Sequence, residues 1–363
     1  MSSRLCQARR RRPMPSLALA FGWLLLCLAL PAPAARAGEI GGIRISGFFN
    51  LYAAAARHPP AGERNFAGLG TVATREGELA LDFAGLELRR EPAPWGFTLI
   101  LGAGDELEAI HSAEEKSARD SFRNIFQASV AYQKNALRFE AGIFPSHIGF
   151  EGTLPQNNWN YSHSWTATLS PFYQTGLKLV YTPDDTTVIE LHALNGWQQI
   201  ADLNRGRSVG LKLARRWGAL TSTLNAIYGD EPVPGGNRPR SLYDLILEAR
   251  LAPTLSATLE TYRGRQERVG LAAADWQAVA LWLRWQQGKN ALSLRGEHFD
   301  DADGGISGRA QRLDSLTFTW DHELAGAARL RCELRRDCSS AELFPSRSPR
   351  RQELAIVALG FSF

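Results

Sequence analysis

The sequence has little cysteine. Two of its four cysteines, Cys6 and Cys27, lie within the first 37 residues, so only Cys332 and Cys338 remain beyond them. If the chain between these two is extended, its six residues span about 20 Å, which is too far for a disulfide. They can pair only if the strand ends between them and the chain folds back, and the sequence leaves that open. No disulfide framework is therefore implied.

Apolar runs long enough for a transmembrane helix, about 18 residues, are also missing. Residues 17–30 form an apolar run of 14, preceded by five arginines in residues 4–12 and followed by an Ala-Arg-Ala site ending at Ala37. A basic start, a short apolar run and such a site predict a secretory signal peptide over residues 1–37. A membrane anchor is the alternative, and the run is too short for it.

The chain after Ala37 lacks the basic excess of a nucleic-acid-binding protein. Residues 1–37 hold six of the 41 lysines and arginines and none of the 37 acidic residues. The remainder therefore has two more acids than bases, whereas a nucleic-acid binder needs a basic surface. We expect no nucleic-acid partner.

A catalytic or metal-binding pattern is missing as well. The seven histidines are scattered, without metal-ligand spacing and without a Ser-His-acid set, which a nucleophilic site would need. We therefore expect no catalytic residues, no metal and no cofactor. Two alternatives stay open: a lipase-like or protease-like barrel enzyme, and a structural or adhesive barrel.

What the sequence does contain is short stretches in which apolar and polar residues alternate. In 291–298, Leu292 and Leu294 share one face, and Ser293, Arg295 and Glu297 share the other, as in a half-buried strand. In 76–90 the alternation changes parity near Gly85, which predicts a bulge there. Sixteen strands are predicted, near 42–53, 76–90, 95–103, 122–133, 136–144, 171–182, 186–194, 207–217, 219–228, 241–252, 254–263, 275–287, 290–299, 311–322, 327–336 and 352–363.

The connections between these strands alternate strictly in length. Short turns of a few residues alternate with long segments, which fall near 54–75, 104–121, 145–170, 195–206, 229–240, 264–274, 300–310 and 337–351. Short turns on one side and long loops on the other are typical of outer-membrane barrels. The fold class predicted is all-β, a transmembrane antiparallel up-and-down barrel of about 16 strands over residues 38–363, with long external loops and short periplasmic turns. A soluble β-sandwich or lipocalin-like barrel does not explain the charged strand faces.

The final strand also indicates a bacterial outer-membrane location. Val357, Leu359, Phe361 and the terminal Phe363 share one parity, so an apolar strand ends on an aromatic residue. That pattern looks like the assembly signal of outer-membrane proteins.

Several segments resemble a known family. They are Gly142–Pro145 with Ile148–Glu151, Asn158–Ser162, Pro171–Leu177, Leu194–Trp197, Leu242–Asp244, Leu294–Asp301 and the last strand. Together and in order, they are similar to the OmpL-like "putative β-barrel porin-2" proteins of Gram-negative bacteria. The resemblance implies a transmembrane barrel with a pore and implies no catalytic residues.

The polar parity of the strands predicts the lining of the lumen. The candidate lining residues carry both signs of charge: Arg138, Glu140, Lys178, Glu190, Arg284, Arg295, Glu297, Arg329, Arg331 and Arg335. Opposed charged walls would orient polar solutes, while cross-strand ion pairs would only brace the wall, and both interpretations stay open. The expected partners are outer-membrane lipid and small hydrophilic solutes or ions that diffuse passively; the solute, the ion preference and a homotrimer are left undecided.

The longest connection, residues 145–170, is the candidate constriction. It has one charged residue, Glu151, among many amide and aromatic side chains, so it is poorly suited to protrude into water. We expect it to fold into the barrel and narrow the pore, with a cap over the mouth or a subunit contact as the alternative. The candidate constriction residues are Glu151, Asn158, Trp159, Asn160, Tyr161 and His163.

Overall fold

A computed structural model describes residues 38–58, 72–202, 204–324, 327–344 and 348–363. The predicted signal peptide lies outside these residues. Seventeen strands occur in the described part of the chain. They are β1 (Gly38–Ile40), β2 (Ile43–Ala56), β3 (Leu79–Arg90), β4 (Trp95–Ala103), β5 (Ile125–Lys134), β6 (Leu137–Pro145), β7 (Tyr173–Asp184), β8 (Thr187–Leu194), β9 (Ser208–Trp217), β10 (Leu220–Val233), β11 (Gly236–Ala252), β12 (Leu255–Gln266), β13 (Ala274–Gln287), β14 (Asn290–Asp301), β15 (Gln311–Glu323), β16 (Ala328–Ser339) and β17 (Arg351–Ser362).

Strands β2 to β17 form a closed antiparallel barrel of sixteen strands, each paired with its neighbours in sequence. The ring closes where β17 pairs with β2, from Leu354 opposite Ala56 to Ser362 opposite Phe48. The short β1 is an additional strand that pairs with the start of β2. The predicted sixteen-stranded barrel is therefore confirmed. Closure leaves no exposed strand edge, as a barrel in lipid requires.

The alternation of side chains sorts them between lipid and lumen. On β14, Leu292 and Leu294 are 36% and 41% exposed, whereas Ser293 and Arg295 on the other parity are 1% and 0% exposed. Within the described residues, no helix is both long and apolar enough to cross a membrane. Cys332 and Cys338 lie on β16 and are free thiols.

One predicted connection is wrong. Residues 229–240 were expected to be a long loop because of their glycines and prolines, but β10 and β11 continue through them as a hairpin, pairing as far as Val233 opposite Gly236. Two contacts with Trp197 stabilise the extended hairpin. The Glu231 carboxylate accepts a hydrogen bond from the Trp197 amide at 2.7 Å, and the Arg240 guanidinium lies over the Trp197 ring, 5.1 Å from its centroid.

The bulge in β3 is also displaced from its predicted position. The register shift falls at Asp82, because Asn50 pairs with Phe83 and the next residue of β2 pairs with Leu81. The extra residue turns both Asp82 and Phe83 inward, each 0% exposed. Gly85 makes room for the Phe83 ring, since a Cβ there would lie 2.3 Å from it.

Three short α-helices and a 3₁₀ turn lie in the long loops, where no helix was predicted. They are α1 (Asp105–Ile110), α2 (Lys116–Phe122), the 3₁₀ turn Pro155–Asn157 and α3 (Trp165–Thr168). Leu107 and Ile110 of α1 are buried against Phe83 and Phe126 of the barrel wall. The loop between β4 and β5 therefore folds inward and fills part of the lumen.

Candidate functional site: a loop across the lumen

Residues 146–172, called the crossing loop below, join β6 to β7 and contact the wall formed by β13 to β16. These strands lie halfway round the ring from β6 and β7. The loop therefore runs across the interior of the barrel. Gly142 and Gly176 face each other just before the loop begins and just after it ends. Both have positive φ, 131° and 155°, and a Cβ on either would lie 2.1 Å from a carbonyl oxygen of a neighbouring strand.

At the centre of this contact lies an ion pair between Glu151 of the loop and Arg295 of β14. Their side chains are 0% exposed and approach to 2.7 Å. The Glu151 carboxylate also accepts hydrogen bonds from the Trp282 indole at 3.0 Å and from the Ser164 amide at 2.6 Å. Arg295 in turn pairs with Glu297 at 2.8 Å. A buried pair with this many additional hydrogen bonds fixes one position of the loop.

Carbonyl oxygens of the loop are the main acceptors for the arginines of the wall. Arg331 donates to the carbonyls of Pro155, Asn158 and Asn160 at 2.7, 3.0 and 3.2 Å. Its Nε lies 2.6 Å from Asp321. All N–H groups of the guanidinium are thereby engaged.

The other arginines of this wall also donate to carbonyl oxygens of the loop. Arg284 donates to the Trp159 carbonyl at 3.3 Å, and Arg329 donates to the Gln156 carbonyl at 3.0 Å. The remaining pairs are Arg295 with the carbonyls of Ser162 and His163, and Arg335 with the carbonyl of His163. Arginine is suited to this role because its several N–H donors point in fixed directions.

Carboxylates of the same wall hold the amides of the loop. Glu333 accepts from the amides of Tyr161 and Ser162 at 2.6 and 3.0 Å. Glu297 accepts from the Trp165 amide at 2.6 Å, and Asp337 accepts from the Trp165 indole at 3.0 Å. The wall thus satisfies both the donors and the acceptors of a backbone that is buried away from water.

The candidate constriction side chains have separate roles. The Asn158 side chain accepts a hydrogen bond from the Gly152 amide and donates one to the Gly152 carbonyl, which closes the loop on itself. A ring nitrogen of His163 lies 3.0 Å from the same Gly152 carbonyl. Asn160 donates to Thr319 at 2.6 Å. Tyr161 reaches across to Asp82 on β3 at 3.0 Å.

Trp159 contributes an aromatic ring to the packing of the loop. Its ring packs edge-on against Phe150, with 5.3 Å between the ring centroids. Phe150 in turn packs against Trp282 of β13 at 5.1 Å. The aromatic residues therefore fill volume between loop and wall.

The remaining lining candidates, Arg138, Glu140, Lys178 and Glu190, lie on the opposite wall and are paired within that wall. Glu140 of β6 lies 3.1 Å from Lys178 of β7 and 3.3 Å from Arg138. Glu190 of β8 lies 3.1 Å from His192. The structure therefore divides the ten predicted residues between a wall that holds the loop and a wall of local pairs, of which Glu140 with Lys178 joins two strands.

The pKa values of Glu151 and His163 in the loop are shifted by burial and by neighbouring charges. Burial acts to raise the pKa of Glu151, but the Arg295 guanidinium outweighs it and holds that pKa below its usual range. Burial lowers the pKa of His163, against the opposing effect of Glu151. At neutral pH the carboxylate is ionised and the imidazole is neutral.

Sequence reasoning missed two parts of this site. Asp321 and Asp337, which anchor Arg331 and Arg335, were not among the candidates, although both share the inward parity of their strands. The inward fold of the β4–β5 loop was missed too: Glu114 of that loop accepts from the Tyr173 hydroxyl and from the Ile200 amide. No group of His, Cys, Asp and Glu suited to a metal ion occurs within the described ranges.

Solved structures of similar shape are outer-membrane proteins. The outer membrane channel DcaP of Acinetobacter baumannii has a TM-score of 0.63 and 10% identity, covering 91% of this chain and 100% of that chain. The anion-selective porin from Comamonas acidovorans has a TM-score of 0.61 and 12% identity, with coverages of 88% and 99%. The trimer form of in-vitro folded OmpT from Vibrio cholerae has a TM-score of 0.58 and 10% identity, with coverages of 90% and 100%.

At these identities the likeness concerns the fold. No curated protein sequence matches the chain. The sequence profile described as "Putative beta-barrel porin-2, OmpL-like" matches residues 42–363. The chain therefore belongs to this family of outer-membrane porins, and its place is the bacterial outer membrane.

Proposed function

We propose that the protein forms a narrow water-filled channel through which small hydrophilic solutes or ions diffuse passively, with the crossing loop as its constriction. The observation that carries this proposal is the position of the loop. It leaves the barrel wall at β6 and is bound to β14 and β16 on the far side, with Glu151 and Arg295 fully buried at the contact. An open sixteen-stranded barrel would leave a wide aqueous lumen, so a loop held in this way limits the solute size.

The charged residues support a size filter more than a charge filter. Arg284, Arg331 and Arg335 are each paired with an aspartate of their own wall and donate to the loop. Glu140 is paired with Lys178 and Arg138. Since most charges are compensated locally, weak ion selectivity is part of the proposal.

The experiment is conductance of the purified, folded protein in planar bilayers, combined with uptake of sugars of increasing size into proteoliposomes. We expect stepwise conductance, similar permeability to small cations and anions, and exclusion of larger sugars. A folded protein without conductance or uptake would overturn the channel proposal.

We also propose that the protein has no catalytic activity and that it assembles as a homotrimer. Support for the trimer is the OmpT structure of similar fold, which was solved in a trimer form. Hydrolysis of phospholipid or casein by the purified protein would favour the barrel enzyme instead. Native mass spectrometry from detergent is expected to give three chains per complex, and a monomer alone would refute the trimer.

A further inference from the structure

A cavity of about 520 Å³ lies beneath the crossing loop, toward the end of the barrel that carries the chain terminus at Phe363. The lining includes Glu323 and Ala328, which flank the short connection between β15 and β16, and short turns mark the periplasmic end of outer-membrane barrels. The 3₁₀ turn of the loop covers the cavity from above, and strands β2, β3, β16 and β17 form its walls. In the proposed channel, a solute that has passed the loop would enter this cavity next. Its volume lies within the range of cavities that bind small molecules.

Two lining residues of opposite charge keep unused hydrogen-bonding capacity. Arg329 donates one hydrogen bond, to the Gln156 carbonyl, and the nearest carboxylate among the described residues, Glu323, is 3.9 Å away. Glu87 accepts one long hydrogen bond, 3.4 Å from the Ser46 hydroxyl. Arg329 differs in this respect from Arg331, whose guanidinium is fully engaged.

A neighbouring arginine leaves the Glu87 carboxylate accessible. Arg89 lies 4.0 Å from Glu87, but its Nε pairs with Glu91 at 2.8 Å. The Glu87 side chain is 24% exposed, and the Arg329 side chain is 35% exposed. The cavity therefore presents a cationic and an anionic group that can each take a ligand.

The strand register gives the separation of these two groups. Glu87 pairs with Ser46 on β2, and Arg329 pairs through Gly360 of β17 with Asn50 of β2. Three inter-strand steps of about 4.8 Å and four residues of about 3.3 Å place the two Cα atoms roughly 20 Å apart. Since both side chains extend into the cavity, the gap between the charged heads is on the order of 10 Å.

Neutral groups line the space between the two charges. Asn157 is exposed to the cavity from the loop, and Phe48 offers an aromatic ring that stacks on Phe83 at 5.1 Å on its other side. Amide groups can bond peptide groups, and a ring can cover an apolar surface.

We propose that this cavity binds small zwitterionic solutes of the size of a di- or tripeptide, with Arg329 on the carboxylate and Glu87 on the ammonium group. This inference rests on the proposed channel function, since it assigns a solute class to the periplasmic side of the same passage. An arginine can take a carboxylate with two parallel hydrogen bonds, which sets the orientation of the solute.

The test is calorimetric titration of triglycine into the folded protein in detergent. We expect saturable binding, weakened about tenfold by either Arg329→Gln or Glu87→Gln, since each removes one charged hydrogen-bonding group. N-acetylated triglycine should be insensitive to Glu87→Gln, and triglycine amide should be insensitive to Arg329→Gln. The matched controls are Arg336→Gln and Glu353→Gln. These two residues lie outside the cavity and are 3.9 Å apart, the distance that also separates Arg329 from Glu323. Both control variants should bind triglycine as the parent does.

Absence of saturable binding, or equal binding by parent and both variants, would overturn the inference. Heat-modifiability on gels verifies that each variant is folded. Bilayer recordings separate this proposal from the channel function. A conducting channel whose current is unchanged by periplasmic triglycine would refute the solute site alone, whereas calorimetric binding without conductance would support the site and refute the channel.

Discussion

At the scale of single residues, the crossing loop is held by charged side chains acting on a backbone. The arginines that donate to loop carbonyls are Arg284, Arg295, Arg329, Arg331 and Arg335. Hydrogen bonds with a charged partner are roughly twice as strong as neutral ones. Most of these arginines are themselves held by an acid of the same wall, so their own burial is compensated.

The central pair should dominate the stability of this arrangement. Replacing Arg295→Met leaves the Glu151 carboxylate buried without its main counter-charge, and breaking a buried pair in this way costs about 3–5 kcal/mol. Urea unfolding of the detergent-folded protein measures the loss. Arg265→Met, which breaks an exposed pair with Glu267, is the matched control and should lower the stability much less, because solvent screens an exposed ion pair. Equal losses for both variants would contradict the assignment.

The ionisation of Glu151 should make the loop contact sensitive to acid. The pKa of Glu151 in the folded protein lies below the usual value because of Arg295. The ionised carboxylate therefore stabilises the folded state fully at pH values above the pKa of the unfolded state, about 4.3. This stabilisation is lost as the pH falls through the lowered pKa of the folded state. The stability difference between the parent and Glu151→Gln should therefore be constant from pH 7 to about 5 and shrink at lower pH. A difference that vanishes between pH 7 and 6 would refute the assignment.

At the scale of elements, the strands were predictable from local sequence, whereas the contacts that the loops make with the barrel wall were not. Alternation of polar and apolar residues is local information, and it located all sixteen barrel strands. The position of the crossing loop depends on Arg331 and Glu333, which are more than 170 residues away in sequence. The same holds for helix α1, since nothing in its own residues says that Leu107 packs against the barrel wall.

Removal of the loop should widen the channel. Replacing residues 152–166 with a short Gly-Ser linker removes the carbonyls that the wall holds, and we expect a severalfold rise in single-channel conductance and entry of larger sugars. The control replaces residues 267–273, the exposed connection between β12 and β13, in the same way. If the folded loop variant conducts like the parent, the constriction lies elsewhere.

At the scale of the whole molecule, the barrel closes where its last strand, β17, pairs with its first strand, β2. Phe363 exchanges two backbone hydrogen bonds with Gly47, at 2.9 and 3.0 Å. Its ring lies over Gly47, where a Cβ would come within 2.5 Å of it. The last residue of the chain is therefore part of the seam.

Deletion of Phe363 should impair assembly of the whole barrel. The variant loses both seam hydrogen bonds and the ring contact, so we expect a lower folded, heat-modifiable fraction in outer membranes. Phe363→Tyr keeps backbone and ring and should assemble as the parent does. An unchanged yield after deletion would show that neither the seam bonds nor the terminal aromatic ring is needed.

The mature protein should begin at Gly38. The proposed signal peptide ends at Ala37, and the short strand β1, which pairs with the start of the barrel strand β2, begins immediately after it. Intact mass measurement of protein extracted from outer membranes should match residues 38–363. A mass that includes residues 1–37 would refute cleavage.

The hydrogen bonds from wall arginines to backbone carbonyls of the loop have a consequence for the evolution of the loop sequence. Every residue has a backbone carbonyl, so substitutions at Gln156 or Trp159 leave the acceptors for Arg329 and Arg284 in place. The lining of the passage can therefore mutate while its architecture persists. A barrel of this kind can acquire a new solute by point substitutions in one segment, without an intermediate that fails to fold.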